Sequence, residues 1–156
     1  MHKTIPTLLA VALAASLAAC ADDPVADRVA GGYDCAITVA TRYYKGDKLR
    51  DTLYVYPDNS GKVSISKVDD NTVKVSVESS RLRINKVFDT VHLTDWNYQA
   101  NLTASKDTLS VNGYRCAADF SGSVTYDPRA IAVSLRVENY PGSNGKYIVS
   151  FANHSY

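Results

Sequence analysis

The chain is short of the residues and motifs on which most enzymes and nucleic-acid-binding proteins depend. It has three histidines, one tryptophan and one methionine. It contains no Gly-x-Ser-x-Gly, no glycine-rich phosphate loop and no His-Glu-x-x-His motif. The net charge of +1 provides no basis for electrostatic capture of nucleic acid. We therefore expect neither an enzyme nor a nucleic-acid-binding protein.

Two further absences concern the chain after residue 19. It has no second long apolar run, so we expect no membrane-spanning helix there. It also has no apolar residues at helical spacing over three turns, which argues against a helical domain. His92 and His154 lack ligand spacing to each other or to a cysteine, so neither a metal nor a cofactor is expected.

The first residues have the layout of an export signal. Basic Lys3 precedes an apolar run from Leu8 to Ala19, broken only by Ser16. This run is too short to span a bilayer stably, and small residues lead from it into Cys20. We predict that residues 1–19 are a signal peptide. An ordinary signal with an incidental cysteine is the alternative.

Leu17-Ala18-Ala19-Cys20 resembles the lipobox of bacterial lipoproteins, whose cysteine is acylated and becomes the first residue of the mature protein. The resemblance implies a lipid on Cys20 that attaches the protein to a membrane. Residues 21 to about 30 are small and acidic and include Pro24, so we predict a lipidated N-terminus and tether over residues 20–30 and a domain over 31–156. Asp22-Asp23 resembles the acidic signal that sends lipoproteins to the cell surface in Bacteroidota. It implies an outer-membrane location facing the exterior, with the periplasmic leaflet as the alternative.

Three triplets resemble the Asp-(Ser/Thr)-apolar acceptor pattern of O-glycosylation in those bacteria. The resemblance makes Thr52, Thr90 and Thr108 candidate acceptors, because each follows an aspartate and precedes Leu or Val. An equally good explanation is a turn aspartate followed by a β-branched residue that opens a strand.

From residue 31 onward, apolar and polar residues alternate as in β-strands. Clear examples are residues 73–78 and 131–137. Turn-forming residues at 57–61, 68–71 and 126–129 separate such runs. The predicted strands lie near residues 33–44, 49–57, 61–68, 71–79, 81–88, 91–103, 107–115, 117–127, 129–139 and 146–152. An all-β antiparallel meander of this length must close into a barrel or fold into two layers.

The Gly32-Tyr33 opening, the run of hairpins and the final strand resemble the calycin-like, lipocalin-like β-barrel lipoproteins of Bacteroidota. The resemblance implies a barrel of about eight to ten strands, and a two-layer β-sandwich is the alternative. Classical lipocalins carry Gly-x-Trp in the first strand. This chain has Gly31-Gly32-Tyr33, and its tryptophan is Trp96.

Two cysteines remain once Cys20 is lipidated. In an oxidising compartment, Cys35 and Cys116 are most simply a disulfide, which would stabilise the fold by about 4–5 kcal/mol. Two free buried thiols are the alternative.

The aromatic residues provide the remaining indication of function. Tyr54 and Tyr56 share one face of a strand, and Trp96 and Tyr98 share a face of another. Such rings suit a small apolar or glycan-derived ligand, although tyrosine is also an ordinary strand former. We predict a binding module without turnover that takes such a ligand. The alternatives are a structural or protein-interaction lipoprotein with a filled core, and an inhibitor of a secreted enzyme.

Overall fold

The computed structural model describes residues 23–153, apart from the side chain of Asp58. The predicted signal peptide, Cys20 and His154 lie outside these residues. The described chain forms helix α1 (Val25–Val29) and the strands β1 (Gly31–Lys45), β2 (Lys48–Asp69), β3 (Thr72–Ser79), β4 (Ile84–Trp96), β5 (Gln99–Thr103), β6 (Asp107–Val111), β7 (Tyr114–Tyr126), β8 (Arg129–Val137) and β9 (Tyr147–Asn153).

The strands form one antiparallel sheet that closes on itself. Its order is β5-β4-β3-β2-β1-β9-β8-β7-β6, and β5 also pairs with β7. Eight strands therefore complete the ring. β5 pairs with residues 121–125 of β7 and β6 with residues 114–118, so these two short strands lie end to end along the same edge. The prediction of an all-β antiparallel barrel is confirmed, and the sandwich alternative is wrong.

The two ends of the barrel differ in their connections. The helix end carries α1 and the β2–β3, β4–β5 and β7–β8 turns. The opposite end, which we call the ribbon end, carries the β1–β2 hairpin and the β3–β4, β6–β7 and β8–β9 connections. Because consecutive strands are antiparallel, each connection lies at the end opposite the previous one, apart from the β5–β6 link.

The predicted turn at residues 57–61 is wrong, because β2 runs continuously through it. Cys35 pairs with Gly61 and Ile37 pairs with Tyr56, so β1 advances two residues while β2 advances five. The three extra residues form a bulge. Gly61 is required beside it, since a Cβ there would lie 2.8 Å from the Cδ1 atoms of both Ile37 and Phe151.

The predicted boundary between segments 81–88 and 91–103 is also misplaced. β4 continues through Asp89 and Thr90, where the pairing with β3 shifts by one residue. The chain reverses later, at Asn97-Tyr98, between the paired residues Trp96 and Gln99. Trp96 is therefore the last residue of β4 and Tyr98 lies in the hairpin turn, so the two do not share one face of a single strand.

The predicted tether includes a short helix that packs on the barrel. Val25, Ala26 and Val29 of α1 are all buried, and the amide of Ala26 donates to the carbonyl of Asp70 at 3.2 Å. Residues 25–29 are therefore part of the folded domain. Within residues 23–153, no helix is long and apolar enough to cross a membrane.

Inward-facing side chains from every strand of the ring fill the interior of the barrel. The alternating residues of β3 and β8 are fully buried, and Phe88 and Phe120 meet with ring centroids 4.7 Å apart. The core residues from those two strands are Val73, Val75, Val77, Ile131, Val133, Leu135 and Val137. The barrel therefore has a packed core of aliphatic and aromatic side chains.

Candidate functional site

A network around Tyr33 closes the helix end. The hydroxyl of Tyr33 donates to the carbonyl of Val29 at 2.7 Å and accepts from Nε of Arg129 at 2.8 Å. Arg129 also donates to the carbonyl of Ala30 and lies over the Tyr33 ring, 5.0 Å from its centroid. Burial raises the pKa of Tyr33. These contacts hold the end of α1, and the residue Ala30 that follows it, against the rim of the barrel.

Stacked tyrosines cover the ribbon end. The rings of Tyr140 and Tyr147 stack with centroids 3.9 Å apart, and Tyr114 meets Tyr140 edge-on at 5.7 Å. The side-chain amide of Asn112 donates to the hydroxyl of Tyr140 at 3.2 Å. Burial, together with the neighbouring hydroxyl of Tyr140, raises the pKa of Tyr147. Sequence analysis missed this cluster, whose members come from three separate parts of the chain.

The four predicted ligand-binding aromatics do not come together. Tyr54 and Tyr56 pair with Val39 and Ile37 on β1 and lie toward the ribbon end. Trp96 and Tyr98 lie at the helix end, in the β4–β5 turn. The two pairs therefore do not line a common pocket.

The β1–β2 hairpin projects from the ribbon end, and we define residues 42–55 as the ribbon. Residues 42–51 form its two-stranded tip. Residues 52–55 are its base, where β2 is the free edge beside the part of β1 that pairs with β9. β9 pairs with β1 only from Ala36 to Thr41, and β3 pairs with β2 only from Lys62 to Asp69. Among the described residues, no strand therefore lies beside the outer edge of β2 over residues 48–55. The register of the ribbon is held by Arg42, whose Nε lies 2.8 Å from Oδ1 of Asp51.

One face of the ribbon carries exposed apolar residues on both sides of the Arg42–Asp51 ion pair. Tyr44 pairs with Leu49, and Leu53 and Val55 continue the same face along β2. The exposed fractions of these four residues, in that order, are 61%, 45%, 62% and 68%. Tyr54 points to the other face and is 50% exposed, whereas Tyr56 packs partly against the core beneath the guanidinium of Arg81. The ribbon is the most exposed apolar element of the described chain.

Among the described residues, the barrel wall carries at least two recesses. One, of about 220 Å³, opens between β4 and the β5–β6 break and is lined by Phe88, His92 and Lys106 among others. The other, of about 480 Å³, lies at the β3–β4 connection beside Glu78 and Arg83. His92 is exposed. Among residues 23–153, no group of three or more His, Cys, Asp or Glu side chains is placed to hold a metal ion.

The predicted disulfide is not formed in the structure, where Cys35 and Cys116 are free buried thiols. Cys35 lies in β1 near the helix end, and Cys116 lies near the start of β7, at the ribbon end, beside Tyr147. Tyr147 pairs with Thr41, which is six positions, or about 20 Å of strand, from Cys35. A disulfide requires Cα atoms within about 7 Å.

We expect Cys35 to be alkylated slowly in the folded protein. Burial raises the pKa of its thiol to about 11, so the reactive thiolate is scarce at neutral pH and increases only as the pH approaches that value. Iodoacetamide labelling followed by peptide mapping should show protection at pH 8 that unfolding in urea removes. Rapid labelling of Cys35 in the native protein, or recovery of a peptide that links Cys35 to Cys116, would contradict this prediction.

The three candidate glycosylation threonines lie in different settings. Thr52 is half-buried within the ribbon, and Thr90 is exposed at the irregularity in β4. Thr108 is exposed in β6, and its hydroxyl accepts from Arg115 at 3.3 Å. A carboxylate oxygen of Asp107 accepts from the amide of Thr108, so the turn-aspartate explanation fits this triplet. Modification of the three sites stays a prediction.

Tyr56→Ala should destabilise the protein more than Trp96→Ala. Tyr56 packs against the core and carries Arg81 above its ring, whereas Trp96 is 55% exposed. We expect losses of about 1–3 kcal/mol for Tyr56→Ala and about 0.5 kcal/mol or less for Trp96→Ala. Thermal melts measured side by side are the test. Equal losses would mean that Trp96 is also a packing residue.

Comparisons with known proteins identify a shared fold. No protein-family model matches the chain, and no curated protein matches it. Among solved structures, it is similar to a "putative outer membrane protein" from Bacteroides fragilis NCTC 9343, with a TM-score of 0.55 and 16% sequence identity. The alignment covers 85% of this chain and 53% of that chain, so this chain spans about half the length of its neighbour. At this identity the similarity shows that the two proteins share a β-barrel fold.

Proposed function

We propose that the protein is a lipid-anchored, calycin-like lipoprotein of the outer membrane that binds another protein through its ribbon and carries out no catalysis. The observation that carries this proposal is the contrast between a packed barrel interior and an exposed apolar ribbon. A small ligand inside the barrel would need the space that core side chains occupy. The proposal corresponds to one of the alternatives given in the sequence analysis, a structural or protein-interaction lipoprotein with a filled core.

The free edge of the ribbon favours an extended protein segment as the partner. The backbone amides and carbonyls of residues 48–55 along this edge have no neighbouring strand among the described residues. A partner strand would add main-chain hydrogen bonds there, and its side chains would pack on Leu49, Leu53 and Val55. Natural proteins usually protect long apolar edges, so an unprotected one indicates a binding surface.

The proposed anchor would present the ribbon away from the membrane. Cys20 precedes the first residue of α1 by five positions, a chain length of at most about 18 Å. α1 packs at the helix end, whereas the ribbon projects from the opposite end. Attachment at Cys20 would therefore hold the helix end near the bilayer and direct the ribbon into the surrounding space.

Two features support the outer membrane as the location. The acidic residues Asp22 and Asp23 follow the proposed lipidation site after a single residue, Ala21. The structural neighbour from Bacteroides fragilis is named a "putative outer membrane protein". We propose that the domain faces the cell exterior, and surface protease accessibility in intact cells distinguishes this from the periplasmic leaflet.

The ribbon proposal is tested by photo-crosslinking in cells. A photoreactive residue at Val55, on the exposed face, should form a specific adduct with a partner protein. The same residue at Lys74, exposed on the barrel wall, should not form that adduct. Leu53→Lys places a charge on the ribbon and should abolish the Val55 adduct.

Ser66→Lys is the matched control, because Ser66 is an exposed residue of the same strand whose edge is occupied by β3, where it pairs with Lys74. It should leave the Val55 adduct intact. The same adduct at Val55 and Lys74, or persistence of the Val55 adduct in Leu53→Lys, would overturn the proposal. An adduct of twice the chain mass would identify the partner as a second copy.

A further inference from the structure

The β4–β5 turn exposes two aromatic rings at the helix end. Trp96 is 55% exposed and Tyr98, at the tip of the turn, is 72% exposed. Neither ring is needed to fill the core. The turn nevertheless has a defined position, since the carbonyl of Tyr98 accepts from the amide of Tyr126 at 3.1 Å.

The same turn is tied directly to the segment that leads to the proposed lipid. Nη2 of Arg28, in α1, lies 2.5 Å from Oδ2 of Asp95, the residue before Trp96. The hydroxyl of Tyr126 donates to the other oxygen of Asp95 at 2.6 Å, and Arg28 lies 4.5 Å from the centroid of the Tyr126 ring. The position of the two aromatic side chains is thus coupled to that of α1, which begins five residues after Cys20.

Tryptophan and tyrosine prefer the headgroup region of bilayers, because an apolar ring with a polar group suits both sides of that boundary. We propose that Trp96 and Tyr98 insert into the headgroup interface of a zwitterionic bilayer and, together with the acyl chains on Cys20, set the orientation of the barrel. This inference rests on the proposed lipid anchor and adds a second membrane contact to it.

The charges at this end determine which lipid fits. Asp27 and Asp70 both lie within reach of Lys67, at 2.9 and 3.3 Å, and Asp95 is paired with Arg28. Further acidic side chains, Asp69 and Asp127, are exposed in the turns at the same end. The basic residues at this end are Arg28, Lys67 and Arg129, so the acidic residues outnumber them. An anionic lipid surface would therefore repel this end, whereas a zwitterionic surface would not.

The tryptophan fluorescence of the protein reports on the surroundings of Trp96, because Trp96 is the only tryptophan in the sequence. The full-length acylated protein is reconstituted into phosphatidylcholine vesicles with and without brominated acyl chains. We expect a blue-shifted emission, loss of most of that emission in brominated vesicles and protection from acrylamide. Replacing part of the phosphatidylcholine with phosphatidylglycerol at low salt should reduce the quenching.

The double variant Trp96→Phe, Tyr54→Trp moves the reporter to the ribbon and serves as the matched control. Its emission should be unaffected by brominated lipid and accessible to acrylamide. Equal quenching at the two positions, or no quenching of Trp96 in vesicle-bound protein, would overturn the membrane contact of Trp96 and Tyr98. The proposed lipid anchor on Cys20 would be unaffected by either result. Stronger quenching with phosphatidylglycerol would overturn the zwitterionic assignment. If the mass of the N-terminal peptide shows no acyl chain, the proposed anchor and this inference both fail.

Discussion

Phe151→Ala is expected to lower the free energy of unfolding by about 3–5 kcal/mol. Phe151 is fully buried in β9, between Ile37 of β1 and Val133 of β8. Its ring also packs against the backbone of Gly61, where there is no room even for a Cβ. The surrounding atoms belong to paired strands that cannot move inward to refill the space, so a cavity should remain.

The measurement is chemical denaturation of both proteins, with Val87→Ala as the control. Val87 is a β4 residue that is 43% exposed, so its truncation should cost about 0.5 kcal/mol or less. Similar, small losses in both variants would contradict a packed interior. A barrel with a ligand cavity would tolerate truncation of its lining, so this experiment also tests the premise of the proposed function.

Cys20→Ser should remove the protein from the membrane fraction or leave its signal peptide uncleaved. A serine hydroxyl cannot replace the thiol that the lipobox presents for acylation, and the described part of the chain has no helix that could span a bilayer in its place. Loss of several acyl chains removes most of the affinity for the membrane.

Cell fractionation and mass spectrometry of the N-terminal peptide are the measurements. Cys116→Ser is the control, because it changes a buried thiol in β7 and leaves residues 17–20 intact. It should still be acylated and sediment with membranes. Normal processing and acylation of Cys20→Ser would show that residues 1–19 are an ordinary signal and that Cys20 is incidental.

Sequence analysis succeeded where a pattern was local. The alternation at residues 73–78 and 131–137 identified two strands and their buried faces correctly, because strand side chains alternate strictly between faces. Tyr54 and Tyr56 do share a face. The same reasoning failed at residues 57–61, where turn-forming residues occupy a bulge within β2. Proline, asparagine and glycine suit both features, and only the partner strand distinguishes them.

The short helix α1 was missed for a related reason. Five residues are too few to show helical periodicity, and Val25, Ala26 and Val29 are stabilised by the barrel end on which they pack. The tyrosine cluster around Tyr140 was missed because its members are distant in the chain.

The sequence by itself determined the class of the protein and the inward face of its clearest strands, since both follow from the residue-to-residue alternation of apolar and polar side chains. Only the tertiary structure decided that β5 closes the ring on β7, that Cys35 and Cys116 lie at different ends and that Tyr56 and Trp96 do not share a site. Alternation has a period of two and is the same at every register, whereas closure depends on strand number, tilt and stagger over the whole sheet. Those quantities are set by all the strands together, and no single segment encodes them.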